Sequence, residues 1–212
     1  MYHLYAFATP NSVKAVIMLE ELAQDYQLRP INVKQGDQKS DTFLALNPNG
    51  KVPVLVEAGA EGNEPLVLTE SSAILVYLAE KHGRLLPNGG AERARVFEQL
   101  FFHASALSPS FGQAGFFKRL ASEPQPLAEL RFSTEAERVT GLMDRVLHER
   151  RFVAGDIYSI ADIAHFGWFW RREFAGVTLD GYPNIARWYD QMSQRPAVRR
   201  AITRLNALVP QA

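Results

Sequence analysis

The spacing of the apolar residues changes once along this chain, and that change constrains the fold more than any other feature. Before residue 83, short apolar segments alternate with segments of helical period, whereas after residue 90 only the helical period is found. Between them, KHGRLLPNGG carries three glycines and one proline, which no long element could cross. We therefore predict two domains of different architecture, 1–83 and 91–212, joined by a linker at 84–90.

The first domain is predicted to have the element order β-α-β-α-β-β-α. The predicted strands are 2–7, 26–33, 52–56 and 66–68, and the predicted helices begin near residues 12, 40 and 70, the last ending at Gly83. The loop 59–63 suggests a hairpin between the last two strands. Parallel strands need crossover helices and antiparallel strands accept hairpins, so this order predicts a small mixed sheet with helices on its faces.

The second domain is predicted to be a helical bundle. Apolar residues at helical spacing run from Leu100 to Leu107, where Pro109 is expected to interrupt the helix, and a second long helix is expected over 127–150. Ser159 to Asp162 has the pattern of a capping box at the start of another helix. In the first domain, the pair Glu20 and Glu21 is interpreted as a solvated helix face.

Composition excludes several classes of function. Twenty-three basic and 23 acidic residues give zero formal charge, so nucleic acid is not an expected partner. Neither a signal peptide nor a membrane span is recognisable, and a cytoplasmic location without membrane attachment is the expectation. The histidines lack metal-ligand spacing and no nucleotide-binding motif is present, so neither a metal nor a nucleotide is expected. With no cysteine in the chain, any thiol chemistry must use a thiol that the ligand brings.

The first candidate site lies where the first strand meets the first helix, at Thr9 and Asn11. A helix N-terminus favours an anion, and a thiolate would suit this position. Lowering a thiol pKa from about 8.5 by two units needs about 2.7 kcal/mol, which hydroxyl and amide donors together with the helix dipole could supply. The alternative is that Thr9 or Asn11 simply caps the helix.

Two further candidates are Val52-Pro53 and Glu70-Ser71. Proline near the start of a strand is compatible with a cis bond that presents the Val52 backbone to a peptide ligand, or with an ordinary trans proline at a sheet edge. Ser71 at a helix start could bind a carboxylate while Glu70 holds an ammonium group, so that the pair would bind an α-amino acid end. The alternative for this pair is again a capping sequence.

Side chains in loops and in the second domain complete the candidates. Gln38 and Lys51 could contact a second carboxylate, although most such loop residues are simply solvated. Phe111 and Phe116 could form the wall of an apolar pocket, or could belong to the core.

Three segments together resemble the glutathione transferases over nearly the whole chain. They are NPNGKVP at 47–53, LTESSAI at 68–74 and GDIYSIAD at 155–162. The resemblance implies a thioredoxin-like N-terminal domain, an all-helical C-terminal domain, a homodimer, and glutathione bound by the first domain beside a pocket for a small electrophile. Leu4-Tyr5 followed by Thr9-Pro10-Asn11 is most similar to the bacterial Nu class, whose members reduce disulfides with glutathione.

Residue roles follow from this resemblance. Thr9 and Asn11 would support the glutathione sulfur, and Val52, which precedes Pro53, would pair with the cysteinyl backbone. Glu70 and Ser71 would bind the γ-glutamyl end. Gln38 and Lys51 would bind the glycyl end, and Arg131 would reach a ligand across the dimer.

The chain also departs from other classes of the family. It has no tyrosine at the sulfur-activating position and no cysteine. A disulfide reductase that uses two glutathione molecules is compatible with both absences, because thiolate attack then needs only ligand sulfurs. Three alternatives remain open: a conjugating transferase, a glutathione peroxidase and a non-catalytic scaffold with this fold.

Overall fold

The computed structural model describes residues 1–59 and 64–209. The chain separates into two compact units, one formed by residues 1–84 with 194–212 and the other by residues 85–193. The final segment thus belongs to the first unit, whereas the predicted domain limits group it with the second; those limits stay a prediction. In the described part of the chain, no helix is both long and apolar enough to cross a membrane.

The first unit is built on a four-stranded mixed sheet. Its elements are β1 (Tyr2–Ala6), α1 (Ser12–Glu21), β2 (Tyr26–Pro30), α2 (Asp41–Leu46), β3 (Val54–Glu57), β4 (Leu66–Leu68), α3 (Ser71–His82) and the C-terminal α10 (Pro196–Asn206). The strand order is β2-β1-β3-β4, with β1 and β2 parallel and the other pairs antiparallel. The predicted mixed sheet and its order of elements are confirmed. Residues 60–63 of the predicted hairpin loop lie outside the described residues.

Two strand limits differ from the prediction. The second strand ends at Pro30 instead of residue 33, because the Asn32 N–H donates to Asp37 Oδ2 at 2.8 Å and the chain turns there. The third strand begins at Val54, after a cis bond between Val52 and Pro53, and proline has no N–H to donate to a ladder.

The interpretation of Glu20 as part of a solvated face is wrong. Glu20 is 8% exposed, and its carboxylate accepts hydrogen bonds from Arg200 Nε at 2.6 Å and from Tyr26 Oη at 2.8 Å. Arg195 pairs in the same way with Glu21, at 2.6 Å. These arginines come from α10 and from the residue before it, and α10 packs on α1. A helix far along the chain therefore covers a surface that the local pattern marks as exposed.

The second unit is built from helices. Its helices are α4 (Gly90–Phe102), α5 (Ser108–Arg119), α6 (Pro126–Glu149), α7 (Ile160–Trp170), α8 (Arg172–Ala175) and α9 (Pro183–Ser193). Its core is aromatic: Phe166, Phe169 and Trp188 are fully buried, and the Trp188 ring meets each phenylalanine ring edge to face.

The expected interruption at Pro109 does not occur. A π-helical turn, His103–Leu107, joins α4 directly to α5, and Pro109 lies in the first turn of α5. Proline within an α-helix clashes with the carbonyl four residues earlier and leaves it without a donor. The wider π turn alters the hydrogen bonding at that place, so the chain stays helical through the proline.

The predicted capping box at the start of α7 is confirmed. Ser159 Oγ accepts from the Ala161 N–H at 3.2 Å, and Asp162 Oδ2 accepts from the Ser159 N–H at 3.0 Å. Asp162 is fully buried and also accepts from the Val153 N–H and from Trp188 Nε1, both at 3.0 Å. Its role is therefore to satisfy buried donors in the core of the second unit.

Candidate active site

The sheet brings three of the candidate segments to one end of its strands. In the antiparallel pairing of β1 with β3, Tyr5 lies opposite Val54, so the end of β1 lies beside the start of β3. In the pairing of β3 with β4, Leu55 lies opposite Leu68, so β4 finishes at the same end of the sheet. Thr9 and Asn11 follow β1, Val52 and Pro53 precede β3, and Glu70 and Ser71 follow β4. Residues far apart in sequence therefore meet at one end of the sheet.

Thr9 caps the first helix. Its Oγ1 accepts the Ser12 N–H at 3.1 Å and is 2.9 Å from Ser12 Oγ, to which its own hydroxyl donates. The Thr9 backbone N–H donates to the Phe7 carbonyl at 2.7 Å. The capping role that the sequence left open for Thr9 is thus present, and both of its donors are engaged inside the protein.

Asn11 does not use its side chain as a cap. Although it precedes the first residue of α1, its side chain accepts no hydrogen bond from the helix backbone. Its Oδ1 instead accepts from Lys14 Nζ at 2.7 Å. Among the described residues no acceptor binds Asn11 Nδ2, and the residue is partly exposed. The Nδ2 group is therefore a donor available to a ligand at the N-terminus of α1.

Lys14 is a site residue that the sequence analysis missed. Its side chain is 1% exposed, and Nζ contacts both Asn11 Oδ1, at 2.7 Å, and Ser71 Oγ, at 3.5 Å. One ammonium group thus joins the start of α1 to the start of α3. Burial lowers the pKa of Lys14 to about 7, and the nearby Glu70 carboxylate acts in the opposite direction. The signal was in the sequence: Lys14 lies four residues before Met18, on the apolar face of α1.

The second candidate, Val52-Pro53, has the cis bond that the sequence left as one of two alternatives. Val52 is 9% exposed and packs with Phe43 and Val54. Among the described residues neither its N–H nor its C=O has a hydrogen-bond partner. Both groups therefore remain able to pair with an extended peptide.

At the start of α3, the Glu70 side chain makes no capping hydrogen bond, while its carbonyl accepts the Ile74 N–H at 2.9 Å. Glu70 is exposed, and Ser71, the first helical residue, is 9% exposed. The first amides of a helix have no partner within the helix. The arrangement combines an anion-binding helix end, a hydroxyl and an adjacent carboxylate, so that it can bind a group carrying both charges.

Gln38 and Lys51 lie in loops that meet beside the start of β3. A Cβ on Gly50 would lie 3.3 Å from the Gln38 carbonyl, so the two loops are in contact. Gln38 Nε2 donates to the Val33 carbonyl at 3.4 Å, and the Lys51 side chain is exposed. Their contact with a ligand carboxylate stays a prediction.

The candidates for the second substrate lie in the helical unit. Phe111 is fully buried, with its ring edge to face against Trp168 and Phe169, which is the core role that the sequence left open. Phe116 is 44% exposed, and Arg131 is exposed on α6. Across residues 1–59 and 64–209, no group of three or more His, Asp or Glu side chains could hold a metal ion.

Comparison with protein families gives two matches. The model of the glutathione S-transferase N-terminal domain matches residues 8–81, and that of the C-terminal domain matches residues 109–196. Among curated proteins, the disulfide-bond oxidoreductase YfcG of Escherichia coli is 37% identical over 205 residues, which cover 95% of this chain and 94% of the relative.

Solved structures give the same result. A glutathione transferase family member from Pseudomonas fluorescens, with two glutathione bound, has a TM-score of 0.88 at 36% identity and covers 95% of this chain and 92% of its own. A glutathione transferase from Pseudomonas putida, with one glutathione disulfide bound per subunit, has a TM-score of 0.86 at 36% identity. The match covers 95% of this chain and 90% of the other. With a thioredoxin-like first domain, a helical second domain and both family models matched, this chain belongs to the glutathione S-transferase family.

Proposed function

We propose that this protein is a glutathione-dependent disulfide reductase. The observation that carries the proposal is the free amide donor of Asn11 at the N-terminus of α1, joined through one ammonium group to Ser71, in a chain without cysteine. Glutathione fits these groups: its γ-glutamyl end carries both charges for Glu70 and Ser71, and its thiol would lie toward the start of α1.

The local chemistry favours a thiolate at that position. Asn11 Nδ2 donates to the sulfur, and the positive end of the α1 dipole favours the anion. Thr9 contributes by fixing the first turn of α1, since its own donors are engaged with Ser12 and Phe7. Val52 pairs through its backbone with the cysteinyl residue of the ligand, which sets the distance between the sulfur and the helix. Gln38 and Lys51 contact the glycyl carboxylate.

The reaction balances with two glutathione molecules. The first thiolate attacks one sulfur of the substrate disulfide, forms a mixed disulfide and releases a substrate thiolate. A second glutathione thiolate then attacks the glutathione sulfur of that mixed disulfide, giving glutathione disulfide and the second substrate thiolate. The two protons lost by glutathione end on the two product thiols. The related structures with two glutathione molecules, or with one glutathione disulfide, support this stoichiometry.

The test is turnover of a small uncharged disulfide, with glutathione disulfide formation followed through glutathione reductase and NADPH. Asn11→Asp replaces the donor NH₂ by an anion of the same shape and should lower kcat/KM by about tenfold to a hundredfold, as expected for the loss of a charge-assisted donor. Asn206→Asp makes the same change on the exposed end of α10 and is the matched control, expected to retain wild-type activity.

Three results would contradict the proposal in different ways. Unchanged turnover in a Thr9→Ala, Asn11→Ala double variant that still binds glutathione would remove the role given to those residues. Rapid conjugation of an aryl halide, or reduction of a hydroperoxide, without disulfide turnover would identify one of the alternative enzymes. Failure of the protein to be retained on immobilised glutathione would support a non-catalytic scaffold.

Cytoplasmic location and dimer formation stay predictions. Dimer formation can be tested by measuring the mass of the protein in solution.

A further inference from the structure

One charged side chain of the first unit is buried among apolar neighbours. Lys14 is 1% exposed, and its neighbours Val13, Ala15 and Met18 are fully buried apolar side chains. An apolar side chain of similar length would fill this space without the free energy that burial of an ammonium costs. Lys14 Nζ contacts polar atoms of Asn11 and Ser71, which are the two residues proposed above to hold the sulfur and the γ-glutamyl end.

The chemistry of the ammonium group decides which way Asn11 faces. A lysine ammonium has three N–H donors and no acceptor, so only the oxygen of a neighbouring amide can face it favourably. Nζ lies 2.7 Å from Asn11 Oδ1. The amide is planar, so fixing the oxygen toward Lys14 directs the NH₂ group to the other side. Without this contact, the amide could turn half a revolution and present its oxygen, which repels a thiolate.

We propose that Lys14 is the positioning residue of the sulfur site: by binding Oδ1 of Asn11, it holds Nδ2 toward the glutathione thiolate. This inference rests on the proposed function, because it assumes that glutathione is the ligand. Spacing also favours it, since residues three apart on a helix lie on the same face. The contact with Ser71 Oγ, at 3.5 Å, ties the same ammonium group to the start of α3.

The charge of Lys14 strengthens the effect. Burial lowers the pKa of Lys14 to about 7, against the influence of the Glu70 carboxylate. A thiolate and a carboxylate bound at the two neighbouring residues would favour the charged form further. The ammonium group also polarises the Asn11 amide, which makes Nδ2 a stronger donor.

The experiment measures the pKa of glutathione bound to the protein, from the ultraviolet absorbance of its thiolate as pH is raised. No protein thiol interferes, since the chain has no cysteine. Lys14→Met, which removes the ammonium group and keeps the bulk, should raise the bound thiol pKa by about one unit or more. Lys14→Gln, which keeps a donor N–H, should raise it less, and it serves in place of the methionine variant if that chain does not fold. Ser71→Ala, which removes only the longer of the two contacts of Lys14 described above, should weaken glutathione binding and raise the thiol pKa less than Lys14→Met does.

A double-mutant cycle with Asn11→Ala tests whether Lys14 acts through Asn11. If it does, adding Lys14→Met to Asn11→Ala should produce no further rise in the thiol pKa. A further rise of the same size in that background would mean that the ammonium group acts directly on the sulfur, and would overturn the proposal. An unchanged thiol pKa in Lys14→Met with glutathione bound would also overturn it. If wild-type protein itself fails to lower the thiol pKa below that of free glutathione, the proposed function fails and this inference fails with it.

Discussion

Burial of Lys14 should make the stability of this protein rise with pH relative to a Lys14→Met variant. In the folded chain the pKa of Lys14 is lowered to about 7 by burial, whereas in the unfolded chain it returns to its ordinary value of 10.5. Between these two values the unfolded state binds one proton more than the folded state. The free energy of unfolding therefore increases with pH across this range.

The magnitude follows from the same two values. At pH 7 half of the folded molecules still carry the proton, so the slope begins near half of its full value of about 1.4 kcal/mol per pH unit and approaches that value as pH rises. Between pH 7 and pH 9, wild-type protein should gain about 2 kcal/mol over Lys14→Met. Methionine has no titrating group, and the contributions of all other residues cancel in the difference between the two proteins.

The assay is urea unfolding of both proteins at several pH values, followed by circular dichroism. Lys39→Met, which makes the same replacement at an exposed position, is the matched control and gives the effect of losing a lysine from the surface. A wild-type advantage that stays constant from pH 7 to pH 9, or that falls, would refute the argument that Lys14 is desolvated in the folded state.

Two further pairs of replacements test the packing and the buried hydrogen bonds of the helical unit. Gly115→Ala should lower the free energy of unfolding by about 1–3 kcal/mol, because its Cβ would overlap the Phe174 ring. Gly112→Ala on the same helix, whose Cβ would lie 3.5 Å from its nearest neighbour, should be neutral or stabilising, and equal losses in urea unfolding would contradict this. Asp162→Ala should cost about 3 kcal/mol or more, because buried donors, Trp188 Nε1 among them, lose their acceptor. Asp162→Asn, which keeps one acceptor oxygen, should cost less, and the reverse order in thermal melting would rule out this explanation.

Local patterns were enough to predict most of the fold. Short apolar segments between segments of helical period, the hairpin spacing before Leu66 and the glycine at residue 83 predicted the mixed sheet and its helices, because each depends on neighbours within a few residues. The capping box at Ser159 is equally local and is confirmed. The prediction failed at Pro109, since a π turn, which local propensity does not indicate, carries the helix through the proline.

The candidate site, like the fold, could be predicted only in part from the sequence. The residue types at Asn11, Val52 and Ser71 are visible in the sequence, and the resemblance gave them roles that remain proposals. The sequence could not show that the Thr9 donors bond within the chain while Asn11 Nδ2 is available to a ligand. Either residue could cap the helix, so the capping pattern does not tell them apart.

By itself, the sequence determined the order of elements, the absence of a protein thiol and the residue types at three helix and strand ends. Only the tertiary structure decided what surrounds the charged side chains of α1. Lys14 is buried because α1 packs in the first unit with the start of α3 beside it, and Glu20 is covered because α10 returns to α1. The physical reason is that periodicity reports which face of a helix is apolar, whereas solvation and hydrogen bonding depend on which distant segment covers that face.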